Sequence, residues 1–195
     1  MNTYLVILIG SLLVNNYVMN QFLGICPFLG VSKKMSTAAG MGAAVTFVLT
    51  LATIVTYLLQ KFVLNAFDIQ YMQTILFILV IASLVQMVEI ILKKISPSLY
   101  SALGVFLPLI TTNCCILGVA ITVGNGVASG DYDLIKGVIY AIATAIGYAL
   151  ALILFSALRE HLELMDVPQS MKGTPIALIT AGLMAMAFVG FSGLC

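Results

Sequence analysis

Charged residues are so sparse in this chain that they determine what it can fold into. Its 195 residues include only eight Lys and Arg and seven Asp and Glu, or 8% charged, against roughly 25% in a soluble domain. They leave six uncharged runs of at least 20 residues: 1–32, 35–60, 69–88, 95–130, 137–158 and 173–195. A hydrocarbon core of about 30 Å needs about 20 residues of helix. We therefore predict an all-α integral membrane protein with six transmembrane helices.

The composition also excludes several classes of protein. The chain is 62% hydrophobic with a net charge of +1 and has no basic patch, which excludes a nucleic-acid binder. Its longest charge-bearing stretch, from Arg159 to Lys172, is too short for an extramembrane domain. The lipid bilayer is therefore the main surrounding of the fold.

The distribution of cations between loops predicts the orientation. Short loops rich in Lys and Arg stay in the cytoplasm. The connections after the first, third and fifth runs carry six cations: Lys33, Lys34, Lys93, Lys94, Arg159 and Lys172. Those after the second and fourth runs carry only Lys61 and Lys136. This asymmetry predicts a multi-pass protein with both termini outside the cytoplasm.

The first and fourth runs are longer than one span requires, by roughly half a helix each. Pro27 lies between two glycines in the first run, and Pro108 precedes Gly118 in the fourth. Proline removes a helical hydrogen bond, and glycine weakens the helix further. We therefore predict that transmembrane helices 1 and 4 are broken at membrane depth, where irregular backbone is tolerated only inside protein or beside a cavity.

An internal repeat relates these two runs. An offset of 88 residues aligns Cys26 with Cys114 within a shared Cys-x-x-Leu-Gly-Val string. The halves would be residues 1–97 and 98–195, joined at Ser96-Pro97, each with three spans. An odd number of spans gives the halves opposite orientations, so the sequence predicts two inverted three-helix repeats in one membrane domain. The two cysteines would then face each other near the midplane.

Three kinds of chemistry suit this cysteine pair. Backbone N–H groups freed at a helix break can stabilise a thiolate or a sulfide. Thiolates bind zinc, Cu(I) and iron–sulfur clusters, so Cys26 and Cys114 would be half of a Cys₄ site completed by a second, similar protein. A disulfide between them and simple packing are the other two interpretations, and the residues do not choose among the three. Cys115 and Cys195 are expected to be small buried hydrophobes.

The segments around the cysteines resemble a known family. They read Phe-Leu-Gly-Ile-Cys-Pro-Phe-Leu-Gly-Val-Ser-Lys-Lys at 22–34 and Phe-Leu-Pro-Leu-Ile-Thr-Thr-Asn-Cys at 106–114. They are similar to the RnfA/NqrE family, whose members belong to the Rnf electron-transport complex and to the sodium-pumping NADH:quinone reductase. The likeness covers the whole chain, including the ending at 182–191. Cys-Pro at 26–27 and Thr-Thr-Asn-Cys at 111–114 are more similar to the Rnf members than to the NqrE alternative.

The resemblance implies a function and a cofactor. It implies that Cys26 and Cys114 bind one [2Fe–2S] cluster within the membrane, shared with a paralogous, RnfE-like subunit in inverted orientation. The implied complex moves electrons between ferredoxin and NAD⁺ while it pumps Na⁺ or H⁺ across the inner (plasma) membrane of a bacterium or archaeon. Its other subunits carry flavins and further clusters. Cys115 departs from the small apolar residue expected there, and we interpret it as packing because it points roughly 100° away from Cys114.

The residues alone leave three functional classes open. The preferred one is a redox subunit of a translocase, without a complete active site in this chain. An inverted-repeat secondary transporter without a metal centre has the same broken helices and midplane site. A passive scaffold, in which the cysteines only pack, is the third. Iron distinguishes them, because neither a transporter nor a scaffold needs it.

Overall fold

The computed structural model describes residues 2–32, 34–67, 69–95, 107–165, 168 and 171–191. All regular structure in these residues is helical, which confirms the all-α prediction. The α-helices are α1 (Asn2–Ile9), α2 (Tyr17–Gln21), α3 (Ile25–Val31), α4 (Met35–Leu59), α5 (Asn65–Phe67), α6 (Gln73–Ile95), α7 (Leu107–Thr111), α8 (Cys114–Ala128), α9 (Leu134–Glu163) and α10 (Thr174–Val189). Two π-helical segments, Gly10–Val14 and Gln60–Leu64, and a 3₁₀ turn, Gln70–Met72, join some of them.

Four helical segments of the described chain are long and apolar enough to cross a membrane. They are Met35–Leu64, Gln70–Ile91, Pro108–Ala128 and Leu134–Glu163, and they match the second to fifth uncharged runs. The last run forms the shorter apolar helix α10, and the first run is divided among α1, α2 and α3. The six-span count and the inverted repeat therefore stay predictions. The repeat junction at Ser96-Pro97 lies outside the described residues.

The centre of the fold is the pair formed by α4 and α9, which pack along each other more extensively than any other two helices of the described chain. Small residues allow this close approach: a Cβ added at Gly42 would lie 2.9 Å from Ala149 Cβ. Gly147 does the same for the first run, since its added Cβ would lie 2.9 Å from Leu12 O. Asn16 Nδ2 also donates to Gly147 O at 2.9 Å. The first run is thereby seated on α9.

A hydroxyl network joins the first run to α8 and α9. The Tyr17 hydroxyl, at the start of α2, lies 2.8 Å from Thr122 Oγ1 and 3.1 Å from the Tyr140 hydroxyl. Thr122 Oγ1 in turn donates to Gly118 O at 2.9 Å. Tyr17 itself is buried. These bonds satisfy polar groups inside the bundle and hold the segment before the first break against α8.

The end of α9 holds the connection between α3 and α4. Arg159 Nη1 donates to Leu29 O at 2.8 Å and to Ser32 Oγ at 3.0 Å, so a cation caps the last carbonyls of α3. The neighbouring Glu160 carboxylate accepts from Met35 N at 3.0 Å, at the first turn of α4. One turn earlier on α9, an aromatic stack with α3 adds apolar contact. Arg159 thus has a structural partner beyond its role as a loop cation.

Candidate functional site

The first run breaks just before Cys26. Helix α2 ends at Gln21, and α3 begins at Ile25. Between them Phe22 has a φ of 55° and Gly24 a φ of 84°, both in the left-handed region that reverses the chain. Cys26 and Pro27 follow in the first turn of α3, where a missing N–H costs nothing because that group would have no partner in the helix. The predicted interruption is observed, but its cause is the left-handed pair rather than Pro27.

The fourth run breaks just before Cys114. Helix α7 ends at Thr111 and α8 begins at Cys114. Asn113 lies between them and caps α8, since its Oδ1 accepts from Cys115 N at 3.0 Å. Asn16 does the same for α2 by accepting from Val18 N at 3.1 Å. The break in the fourth run is therefore also observed, and both cysteines lie in the first turn of the helix that follows a break.

The two breaks meet at one hydrogen bond. Gly24 N donates to Cys114 Sγ at 2.9 Å, which joins residues 90 positions apart in the chain. Only glycine fits at this point. A Cβ added at Gly24 would lie 2.9 Å from Tyr148 Cε2, 3.1 Å from Asn113 Oδ1 and 3.2 Å from Cys115 Cβ. The backbone N–H that approaches the Cys114 sulfur is two residues before Cys26, so the structure brings the two cysteine segments together.

The repeated glycines pack in a reciprocal way. A Cβ added at Gly118 would lie 2.9 Å from Leu23 Cδ1 in the first break, and one added at Gly30 would lie 3.4 Å from Leu109 Cδ1 in α7. Each glycine of the Cys-x-x-Leu-Gly-Val string therefore receives a leucine from the other broken segment. This contact explains why a small residue is found at both positions, since a larger side chain would separate the segments.

The described cysteines differ in exposure. Cys26 is exposed on the surface of the chain, Cys114 is half-buried, and Cys115 is fully buried in the core. All three are free thiols, so the disulfide considered between Cys26 and Cys114 is not formed in this structure. Cys195 lies outside the described residues. Cys115 has the buried position expected of a packing residue, whereas a second protein has direct access to Cys26.

Two buried donors near the cysteines have no hydrogen-bond partner among the described residues. They are the hydroxyl of Tyr148 and Nδ2 of Asn113. The two side chains are neighbours, but they do not meet the distance and angle of a hydrogen bond. The Tyr148 hydroxyl is also within electrostatic reach of Cys26, Cys114 and Cys115. Sequence reasoning missed Tyr148 as part of the site, and the only available signal was a hydroxyl in the middle of an otherwise apolar span.

These residues fit a shared iron–sulfur cluster. Such a cluster needs thiolates and hydrogen-bond donors to its sulfur atoms. The described residues offer the Cys26 and Cys114 thiols, the Gly24 N–H already directed at sulfur, and two unpartnered donors. In the described part of the chain, no group of three or more His, Cys, Asp or Glu side chains is arranged to hold a metal ion. This chain therefore provides half of a four-ligand site at most, and a second protein would have to provide the rest.

Comparison with known proteins identifies the family. A family model described as "Rnf-Nqr subunit, membrane protein" matches residues 4–195. The chain belongs to the Rnf-Nqr family. This confirms the resemblance that the two cysteine segments show, and the match spans both broken helices and both candidate ligands.

Full-length relatives of this Rnf-Nqr chain carry more detailed names. A protein of Acetobacterium woodii is 55% identical over 193 residues, 98% of each chain, and is named as the RnfA subunit of a Na(+)-translocating ferredoxin:NAD(+) oxidoreductase complex. Proteins of Syntrophotalea carbinolica and Vibrio cholerae are 56% and 53% identical over all of this chain and 98% of their own length. Both are named as the RnfA subunit of an ion-translocating oxidoreductase complex. These names agree with the greater similarity of the cysteine segments to the Rnf members.

Proposed function

We propose that this chain is the RnfA subunit of a membrane-bound, ion-translocating oxidoreductase complex of the Rnf type. In this role it belongs to an enzyme that moves electrons between ferredoxin and NAD⁺, coupled to transport of Na⁺ or H⁺. The proposal is supported by family membership over almost the whole chain and by full-length relatives that carry the RnfA name. Other subunits of the complex would carry the flavins and further clusters.

Within this complex, Cys26 and Cys114 would hold half of a [2Fe–2S] cluster, and a paralogous, RnfE-like subunit would supply the other two ligands. A bound cluster would supply a one-electron carrier inside the low-dielectric layer. The chain's own residues prepare the site. Gly24 N stabilises negative charge on the Cys114 sulfur, and the exposed position of Cys26 leaves it open to the paralogous subunit.

The observation that carries the proposal is the bond from Gly24 N to Cys114 Sγ. A backbone N–H at a helix break inside a membrane protein must find an acceptor. Here that acceptor is a cysteine sulfur from the other broken helix, and the donor itself lies two residues before a second cysteine. A scaffold in which the cysteines only pack does not require this arrangement. A secondary transporter without a metal centre would use the breaks for its substrate, and it gives no role to a paired thiol.

The membrane arrangement is a second part of the proposal. We infer six spans, built as two inverted three-helix repeats with the first and last runs crossing the membrane, and a location in the inner membrane. The fit of four apolar helices supports it, as does α6, which leaves Ile75, Leu79 and Ile90 exposed as a lipid-facing helix does.

The orientation gives the first prediction. A reporter fused after Cys195 should behave as periplasmic, because the cation-rich connections stay in the cytoplasm and the number of spans is even. Paired fusions of alkaline phosphatase, active only outside, and of a fluorescent protein that matures only inside would measure this. A fluorescent fusion at Cys195 without phosphatase activity would overturn the orientation. Fusions after Lys94 should show the opposite behaviour and serve as the control.

Iron analysis tests the proposed cofactor directly. Because two thiolates do not complete a cluster site, the chain purified alone should contain little iron, whereas the copurified pair of this chain and its paralogue should contain iron and acid-labile sulfide in equal amounts. Visible charge-transfer absorption should accompany the iron. A pair that is well folded, as judged by gel filtration in detergent, and free of iron would refute the cluster.

A further inference from the structure

The two unpartnered donors of the site call for an acceptor that this chain does not supply. Tyr148 is 1% exposed and Asn113 is 3% exposed, and neither the Tyr148 hydroxyl nor Asn113 Nδ2 has a hydrogen-bond partner among the described residues. A buried donor without a partner is destabilising, and folded proteins keep few of them. Two such donors in one place indicate a bound group that is an acceptor.

Their positions indicate where that group lies. Asn113 immediately precedes Cys114 and uses its Oδ1 to cap α8, which leaves its amide nitrogen free at the same break. The Tyr148 ring packs against Gly24, whose N–H already donates to Cys114 Sγ. Its hydroxyl is within electrostatic reach of Cys26 and Cys114. Both donors therefore belong to the part of the fold that presents the two candidate ligands.

We propose that Tyr148 and Asn113 donate hydrogen bonds to the sulfur atoms of the cluster site and thereby raise its reduction potential. The inference rests on the proposed function, since it needs a cluster at Cys26 and Cys114. Sulfur atoms at such a site carry negative charge that increases on reduction. Donors aimed at them stabilise the reduced form more than the oxidised form, and hydrogen bonds to the sulfurs are among the factors that set cluster potentials.

Tyr148→Phe is the main test, because it removes the hydroxyl and keeps the ring that packs on Gly24. In the purified complex we expect the equilibrium constant for one-electron reduction to fall about tenfold, a shift of about 59 mV to more negative potential. Cluster content should stay at the wild-type level. An EPR-monitored redox titration measures the shift, and the signal is assigned by its absence in the Cys114→Ser complex.

Ser156→Ala is the matched control. Ser156 lies two turns further along α9, is fully buried, and has a hydroxyl that also lacks a partner among the described residues. At about 1.5 Å per residue it is about 12 Å along the helix from Tyr148. Removal of its hydroxyl should leave the potential unchanged. A shift in Ser156→Ala as large as that in Tyr148→Phe would mean that any lost hydroxyl on α9 acts through packing, and it would overturn the inference.

Asn113→Ser provides a second, independent variant. Serine keeps a capping oxygen for α8 but lacks the amide nitrogen, so the potential should again become more negative. Wild-type potentials in both Tyr148→Phe and Asn113→Ser, with the cluster present, would overturn this inference and leave the proposed function standing. A wild-type complex without any signal that depends on Cys114 would instead remove the proposed cluster, and this inference with it.

Discussion

Cys26→Ser or Cys114→Ser should abolish the visible charge-transfer absorption of the membrane cluster and the electron transfer that depends on it. Serine presents a harder oxygen ligand, which is a poor match for iron already bound by sulfide and thiolate. Cys114→Ser also takes away the sulfur that Gly24 N contacts at 2.9 Å. The measurement is the absorption and the iron content of the copurified complex, together with ferredoxin-dependent NAD⁺ reduction in membranes.

Cys115→Ala is the control for this pair, because Cys115 is adjacent in sequence and buried in the core. Alanine keeps the Cβ that lies against Gly24, so we expect a packing loss of about 1 kcal/mol or less and full cluster content. Cys195→Ser should also keep the cluster. Full cluster content in Cys114→Ser, or its loss in Cys115→Ala, would mean that the other thiol of the adjacent pair is the ligand.

Gly24→Ala should have the largest effect of any single methyl addition at the site. Its φ of 84° is unfavourable for alanine by about 1–2 kcal/mol. The added Cβ would also crowd Tyr148 and Cys115, at a further cost of about 1–3 kcal/mol. A total of roughly 2–5 kcal/mol is a large part of the 5–15 kcal/mol that typically stabilises a fold. The measurement is denaturant unfolding of the purified chain in detergent, followed by cluster content of the complex.

Gly130→Ala separates the two contributions to this loss. Gly130 has a φ of 80°, close to that of Gly24, but nothing lies within 4 Å of a Cβ added there. It should therefore show only the backbone cost of about 1–2 kcal/mol and keep the cluster. Equal destabilisation of the two variants would show that the contacts around Gly24 are loose and would contradict the close meeting of the two breaks.

The sequence predicted the helical spans well because the cost of burying charge in a membrane acts on the chain locally. Uncharged runs two to five appear as the long apolar helices. The breaks were predicted within a few residues, but the reason given for the first was wrong. Pro27 stands in the first turn of α3, where it is well accommodated, and the chain reverses instead at Phe22 and Gly24.

The rest of the site is not readable from sequence patterns, because it depends on contacts between distant residues. Nothing local marks Gly24 as the donor to Cys114, and nothing marks Tyr148, in the fifth run, as a neighbour of both. The π-helical turn at Gly10–Val14 was also missed, since its wider hydrogen bonding has no periodic signature in so short a segment. By contrast, the asparagines before α2 and α8 were interpreted as caps or interhelical bonds, and they serve as both.

The grip of Arg159 and Glu160 on the connection between α3 and α4 has a mechanical consequence. Their bonds to Leu29, Ser32 and Met35 lock the end of the long helix α9 to the short helix that carries Cys26. Since α3 has only seven residues, it does not bend between this lock and the cysteine. Helix α9 therefore works as a lever: a push along its axis at this end shifts the Cys26 thiol directly, and the thiol in turn loads the lever.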